Sequence, residues 1–147
     1  MKKINWSNKL SVGNIQIDNE HKILIDIYND LVDLVHFKKN NDEFSRILSK
    51  LTEYCLVHFK GEEEYMYKLA YPLLDDHKRA HNKFIHKVSM FNIGFSKHTP
   101  PVPEEIVLFL DEWLVKHISV ADKEYEDYKN KVKSDLACLN SNFFKEL

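Results

Sequence analysis

One pattern recurs four times in this chain and constrains its fold more than any other. Apolar residues alternate at spacings of three and four, and histidine stands inside each stripe. The first stripe is His21, Leu24, Tyr28, Leu31 and Val35, with Ile27 and Leu34 beside it. The second is Leu48, Leu51, Cys55, His58, Glu62, Met66 and Leu69. The third is Leu74, His77, His81, Phe84, Val88 and Phe91, and the fourth is Ile106, Leu110, Trp113 and His117. This spacing holds side chains on one face of an α-helix. It predicts helices over about residues 18–38 and 42–69, a third opening at Pro72, and a fourth opening near Pro103. Asp18 or Asn19 is expected to cap the first, because short polar side chains satisfy the free N–H groups of a first turn.

The links are short. They are the polar run from Lys38 to Asp42, the Tyr71-Pro72 break, and the segment from Phe95 to Pro103, which holds three of the four prolines. Four amphipathic helices with such links predict an all-α fold, an up-down-up-down antiparallel four-helix bundle. Only 3 glycines in 147 residues argue against a chain of tight β-turns. Residues 1–17 lack a sustained period and are expected to form an extended arm. Trp6, Leu10, Val12, Ile15 and Ile17 would pack it over the body, with a bend at Gly13. Residues 122–134 read as a short outer helix, and the tail with Phe143 and Phe144 receives no assignment. The whole, 1–147, reads as one domain: arm 1–17, bundle 18–121, and C-terminal helix and tail 122–147.

Five histidines and one glutamate thus occupy positions where leucine would be expected. A single core histidine is commonly structural. A buried carboxylate is different, because without a partner it costs several kcal/mol, roughly the effective desolvation penalty of an ion. Glu62 therefore needs a cation, and no lysine or arginine lies in any stripe. Counting brings the groups together. In a helical hairpin, residues equidistant from the turn lie at the same height. The midpoint of His21 and His58 falls between Lys39 and Asn40. The midpoint of the His58/Glu62 and His77/His81 pairs falls between Leu69 and Ala70. From the His77/His81 pair to His117 the midpoint is His98. Each falls at or beside a predicted turn, so one layer of the bundle collects them all. Asp122 joins that layer if the fourth helix ends just after His117. Seven ligands exceed the four that one zinc takes and suit two metals bridged by carboxylates. Ligand type alone leaves iron, zinc, copper and nickel open.

The residues His58-Phe59-x-x-Glu62-Glu63-x-x-Met66, His77-x-x-x-His81-x-x-Phe84 and Trp113-Leu114-x-x-His117-Ile118-x-x-x-Asp122-Lys123, preceded by Trp6, Val12-Gly13 and Ile17-Asp18-x-x-His21, resemble the hemerythrin family and its bacterial branch. The resemblance covers about residues 6–125. It implies two non-haem iron ions that bind O2 reversibly. His77, His81 and His117 would hold one iron. His21 and His58 would hold the other, leaving it an open position. Glu62 and Asp122 would bridge them together with a solvent-derived oxygen. Phe59, Trp113, Leu114 and Ile118 would wall the O2 pocket. Glu20, where this branch often carries glutamine, is expected to change only surface charge, and Glu63 and Glu64 to face solvent.

The expected role is an oxygen carrier, store or supplier rather than an enzyme. The rivals are a sensor of O2, redox state or nitric oxide acting through a protein partner, a di-iron peroxidase or nitric oxide reductase, and an iron store. A net charge of −2 offers no basic footprint for nucleic acid. No run approaches the length of a membrane span. The N-terminus does not read as a signal peptide, and two cysteines are too few for a disulfide scaffold, so a cytoplasmic location is expected. His36, His86 and His98 read as surface residues.

Overall fold

The computed structural model describes the backbone of residues 2–145 and the side chains of residues 2–141; Phe143 and Phe144 lie outside the described side chains. Five helices follow a short 3-10 turn at Asn8–Leu10: α1 (Ile15–His36), α2 (Asn41–Lys68), α3 (Leu74–Ser96), α4 (Pro103–Lys116) and α5 (Lys123–Lys145). A π-helical turn, His117–Asp122, joins α4 to α5 without a break. Among the described residues there is no strand. α2 packs against both α1 and α3, and α1 packs against α4, giving the four-helix bundle.

The helix starts differ from expectation in two places. α1 begins at Ile15, capped by Asn14, whose side-chain oxygen accepts from the Ile17 N–H. Asp18 lies inside the helix and catches the arm instead. Its carboxylate accepts from the Val12 N–H at 2.9 Å and from the Ser11 hydroxyl. Ile15 is therefore a helical residue, 82% exposed, and not a packing point of the arm. Pro72 does not open α3. It sits in the turn before Leu73, the residue that precedes the helix. Pro103 does open α4 at its first position, where the missing N–H costs nothing.

Three helices end alike. Lys38, Ala70 and His98 each adopt a left-handed conformation, with φ of 53°, 54° and 58°. The next N–H then closes back on the helix: Lys39 to Leu34 O, Tyr71 to Met66 O, and Thr99 to Gly94 O. This is the closure usually made with glycine, here made by side-chain-bearing residues at a cost of roughly 1 kcal/mol each.

Among the described residues the core has two main apolar blocks, with the histidine layer between them, and a small third cluster of Leu10, Ile25 and Ile118. The larger includes Leu31, Leu48, Leu51, Phe59, Phe84, Val88, Leu110 and Leu114. The smaller joins Val12, Ile17, Met66, Tyr71 and Tyr125. The arm is fastened by two hydrogen bonds between Ile4 and Asn29 and by a Lys3–Asp33 ion pair at 2.9 Å. The C-terminal helix is longer than predicted. Its first turns supply Tyr125 and Glu126 to the interior, and from Lys131 to Ser141 every side chain is exposed.

Candidate metal centre

The layer forms as the stripes dictate. His21 from α1, His58 and Glu62 from α2, His77 and His81 from α3, and His117 and Asp122 from the π-turn are all buried. They divide into two groups whose ligand atoms lie within 4.8 Å of one another: His77, His81, His117 and Asp122 in one, His21, His58 and Glu62 in the other.

Asp122 reaches this layer by a route the spacing did not reveal. In a regular α-helix a residue five positions on points about 140° away from the first. Contrary to expectation, the helix does not end after His117. It widens into a π-turn, whose i to i+5 register stacks the two residues on one side. One extra residue in the turn thus converts a misplaced carboxylate into a shared one.

All five imidazoles present Nε2 to the centre. Asp122 Oδ2 lies 3.1 Å from His21 Nε2. Its Oδ1 lies 3.0 Å from His77 Nε2 and 3.1 Å from His117 Nε2. One carboxylate therefore faces both groups, one oxygen to each. His81 Nε2 and His117 Nε2 are 3.1 Å apart. Glu62 turns Oε1 toward His58 Nε2, with His21 Nε2 at 4.0 Å. Its Oε2 accepts the Tyr125 hydroxyl at 3.0 Å.

Apart from the Tyr125–Glu62 and His81–His117 pairs, these approaches are close without being hydrogen bonds. His21 Nδ1 and Nε2, Glu62 Oε1, His77 Nε2 and both oxygens of Asp122 are buried with no hydrogen-bond partner. Leaving one such atom unsatisfied costs about 1–3 kcal/mol, so six in one layer is not a packing accident. Converging imidazole nitrogens and carboxylate oxygens of this kind fit a pair of metal ions, which would satisfy all of them except His21 Nδ1, on the far side of its ring. The electrostatics agree. Burial first, and then the nearby His117 and His77, lower the His81 pKa to about 2, so its ring is neutral and has a lone pair to give. Burial would raise the Asp122 pKa, but the facing His117, His21 and His77 outweigh it and hold the carboxyl well below its usual range. Burial also works against a charged His21, yet Asp122 and Glu62 prevail and raise its pKa to about 9. Without a metal, that ring takes a proton.

A supporting shell was missed in the sequence. His58 Nδ1 pairs with Glu20 Oε1 at 3.0 Å, and His81 Nδ1 with Glu63 Oε2 at 3.2 Å. A carboxylate on Nδ1 fixes the ring and leaves the Nε2 lone pair free. Glu20 is therefore more than surface charge, and Glu63 is turned toward the site rather than to solvent. Burial, then Glu62 and Asp122, raise the Tyr125 pKa, so the phenol remains a donor. Glu126, 1% exposed, accepts from Asn14, Tyr65 and Lys129 and ties α5 to the start of α1 and the last turn of α2. Its position four after Asp122 was the available signal.

The four predicted wall residues fall on two sides. Phe59 stacks on His81 at 3.8 Å, and Trp113 on His117 at 4.2 Å, both beside the three-histidine group. Leu114 is fully buried in the main core. Ile118 packs with Leu10 of the arm and Ile25, one turn beyond His21. His36, His86 and His98 are exposed, as expected.

Comparison with known proteins agrees with this geometry. The family described as the hemerythrin HHE cation binding domain matches residues 13–128. A bacteriohemerythrin of Clostridium acetobutylicum is 33% identical over 126 residues, covering 83% of this chain and 98% of that protein. One from Pseudomonas aeruginosa is 31% identical over 131 residues, 89% of this chain and 84% of the other. The crystal structure of a wild-type hemerythrin superposes with a TM-score of 0.80 at 28% identity, over 86% of this chain and 97% of that one. A chain with these five histidines and two carboxylates in this bundle, matched over most of its length, belongs to the hemerythrin family of domains that bind O2 with two non-haem iron ions.

Proposed function

We propose that this chain binds and releases O2 reversibly as a carrier, store or local supplier of oxygen. In this reading His77, His81 and His117 would hold one iron, His21 and His58 would hold the other, and Glu62 and Asp122 would serve both. The observation that carries it is the unequal division of donors, three imidazoles against two around a shared Asp122. When bound, the ferrous pair supplies the electrons that hold O2 and recovers them on release.

The protein's own part is to direct and to protect. The smaller donor set would leave one position free beside His21 and His58. Ile118, with Leu10 and Ile25 one turn beyond His21, offers that side an apolar wall that would keep water away from a charged pair, and in this reading Leu114 completes it. Glu62 can serve both irons while accepting the Tyr125 hydroxyl, since each carboxylate oxygen has two lone pairs. The polar groups nearby are occupied: Tyr125 by Glu62, Glu20 by His58, Glu63 by His81, and Glu126 by Asn14, Tyr65 and Lys129. Efficient turnover needs a positioned proton donor, and among the described residues these acids and phenols are already engaged. That favours binding over chemistry.

A transfer experiment tests the role. Oxygenated protein is mixed with deoxygenated myoglobin, and the O2 recovered by the acceptor is measured. Near-complete handover supports a carrier or supplier. Passage to the oxidised state without handover, with a change in sedimentation, supports a sensor and contradicts the proposal.

A further inference from the structure

Among the described residues, one cavity reaches His117 and another reaches Glu62, and the two differ in charge. One, of about 260 Å3, meets His117 between Ala80, Trp113, Val120 and Ala121, with Lys116 on its wall. The other, of about 130 Å3, lies between the start of α1 and the last third of α2 and meets Glu62. Its walls include Asn14, Gln16, Glu20, Gly61 and Tyr65, two carboxylates in all with no lysine or arginine.

We propose that this second cavity is the port through which ferrous iron enters the centre, with Glu20 as the carboxylate that takes the ion from solvent and passes it to Glu62. The proposal rests on the reading of Glu62 as a ligand. Glu62 is 3% exposed, and its Oε1 has no hydrogen-bond partner, so an unsatisfied buried carboxylate stands at the inner end of the cavity. Glu20 stands further out. Its side chain is 34% exposed, and Oε1 already touches His58 Nδ1. One residue thus spans from solvent to the ring of a candidate ligand. The volume holds several waters at about 30 Å3 each, enough for an ion that sheds its shell in stages. No electron moves in this step; the ion exchanges water oxygens for carboxylate oxygens and then imidazole nitrogens, and remains ferrous. Lys116 makes the other cavity a poor route for a dication.

Gly61 points the same way. It lies inside the 28-residue α2, where glycine is a poor helix former. A Cβ built there meets nothing within 4 Å. The position is not forced by crowding or by backbone conformation, yet a side chain would project into the cavity that Gly61 lines.

The test measures anaerobic uptake of ferrous ammonium sulfate by metal-free protein, by rapid mixing and a chelator quench, together with final stoichiometry and melting temperature. Glu20→Gln keeps an acceptor for His58 Nδ1 but removes the charge. Uptake should slow about tenfold at low salt, the low end of electrostatic steering, and lose most of its salt dependence, while still ending at two irons per chain. Gly61→Ala should melt about 3 °C higher, from its better helix propensity, and yet load more slowly, with Gly61→Leu slower again. A protein that is more stable but slower to load is not explained by structural damage. Glu64→Gln, the same charge change at an exposed position, should load within twofold of the parent. Parental rates in Glu20→Gln and Gly61→Ala, or equal slowing in Glu64→Gln, overturn the port alone. Failure of the parent to take up two irons overturns the ligand reading and the port together.

Discussion

Tyr125→Phe isolates one atom of the account. Tyr125 is fully buried, and its hydroxyl donates to Glu62 Oε2 at 3.0 Å. Phenylalanine keeps the ring, its edge contact with Tyr65, 5.7 Å away, and its tilted contact with His77, 5.8 Å away. Only the hydrogen bond is lost. A bond to a charged acceptor contributes about 1.5–3 kcal/mol. Loss of a group that orients a metal ligand typically weakens metal binding about 10–100-fold, which converts to roughly 1.4–2.7 kcal/mol. The two routes to the magnitude agree. Competition with a chelator of known iron affinity should therefore show binding looser by one to two orders of magnitude in Tyr125→Phe. Tyr65→Phe is the control. Its hydroxyl bonds Glu126, which lies outside the ligand set, so it should lower the melting temperature and leave iron affinity within about threefold. Equal iron affinity in the parent and Tyr125→Phe would refute the claim that this phenol holds Glu62 in place for metal.

Four further outcomes are expected. Replacing His77 or Glu62 with alanine should abolish two-iron loading, whereas His36→Ala, at an exposed site, should load normally by metal analysis. The metal-free protein should lose stability as pH rises. The His21 pKa is raised to about 9 from 6.5, so its contribution is complete below 6.5 and lost as pH climbs through 9. The size is on the order of 3 kcal/mol, or about 10 °C in melting temperature; in the loaded protein metal replaces that proton and the slope should vanish. Ala70→Gly, at a left-handed φ of 54°, should stabilise by about 1 kcal/mol and raise the melting temperature about 3 °C. With a thiol reagent at pH 8, exposed Cys138 should react at once and buried Cys55 only on unfolding, since burial and then Glu62 push its thiol pKa up.

What was legible in the sequence follows from what spacing can encode. A stripe at three and four names the inward face of one helix, so His21, His58, Glu62, His77, His81 and His117 could all be read directly. Equal distances from the turns placed them at one height. Spacing within a helix does not encode a change in the helix itself. Asp122 joined the set on the expectation of a break after His117, and the π-turn does that work instead. Nor does spacing encode what crosses between helices. Glu20 serves His58 on the neighbouring helix, and Tyr125 reaches from α5 to α2. Glu63, next to Glu62 in sequence, looked solvated until α3 brought His81 within reach. The missed cap at Asn14 has a local cause, because Asp18 was equally suited by type and was instead occupied with Val12 and Ser11.

The central claim is that this layer holds two irons with one position open to O2. Its most direct test is iron analysis with a visible spectrum taken on the same sample, reduced without air, then oxygenated, then degassed. The account predicts two irons per chain and a colourless reduced form. An oxygen-to-iron charge-transfer band should appear with O2 and disappear on degassing. One metal per chain, or a band that oxygen produces and degassing does not remove, would contradict it.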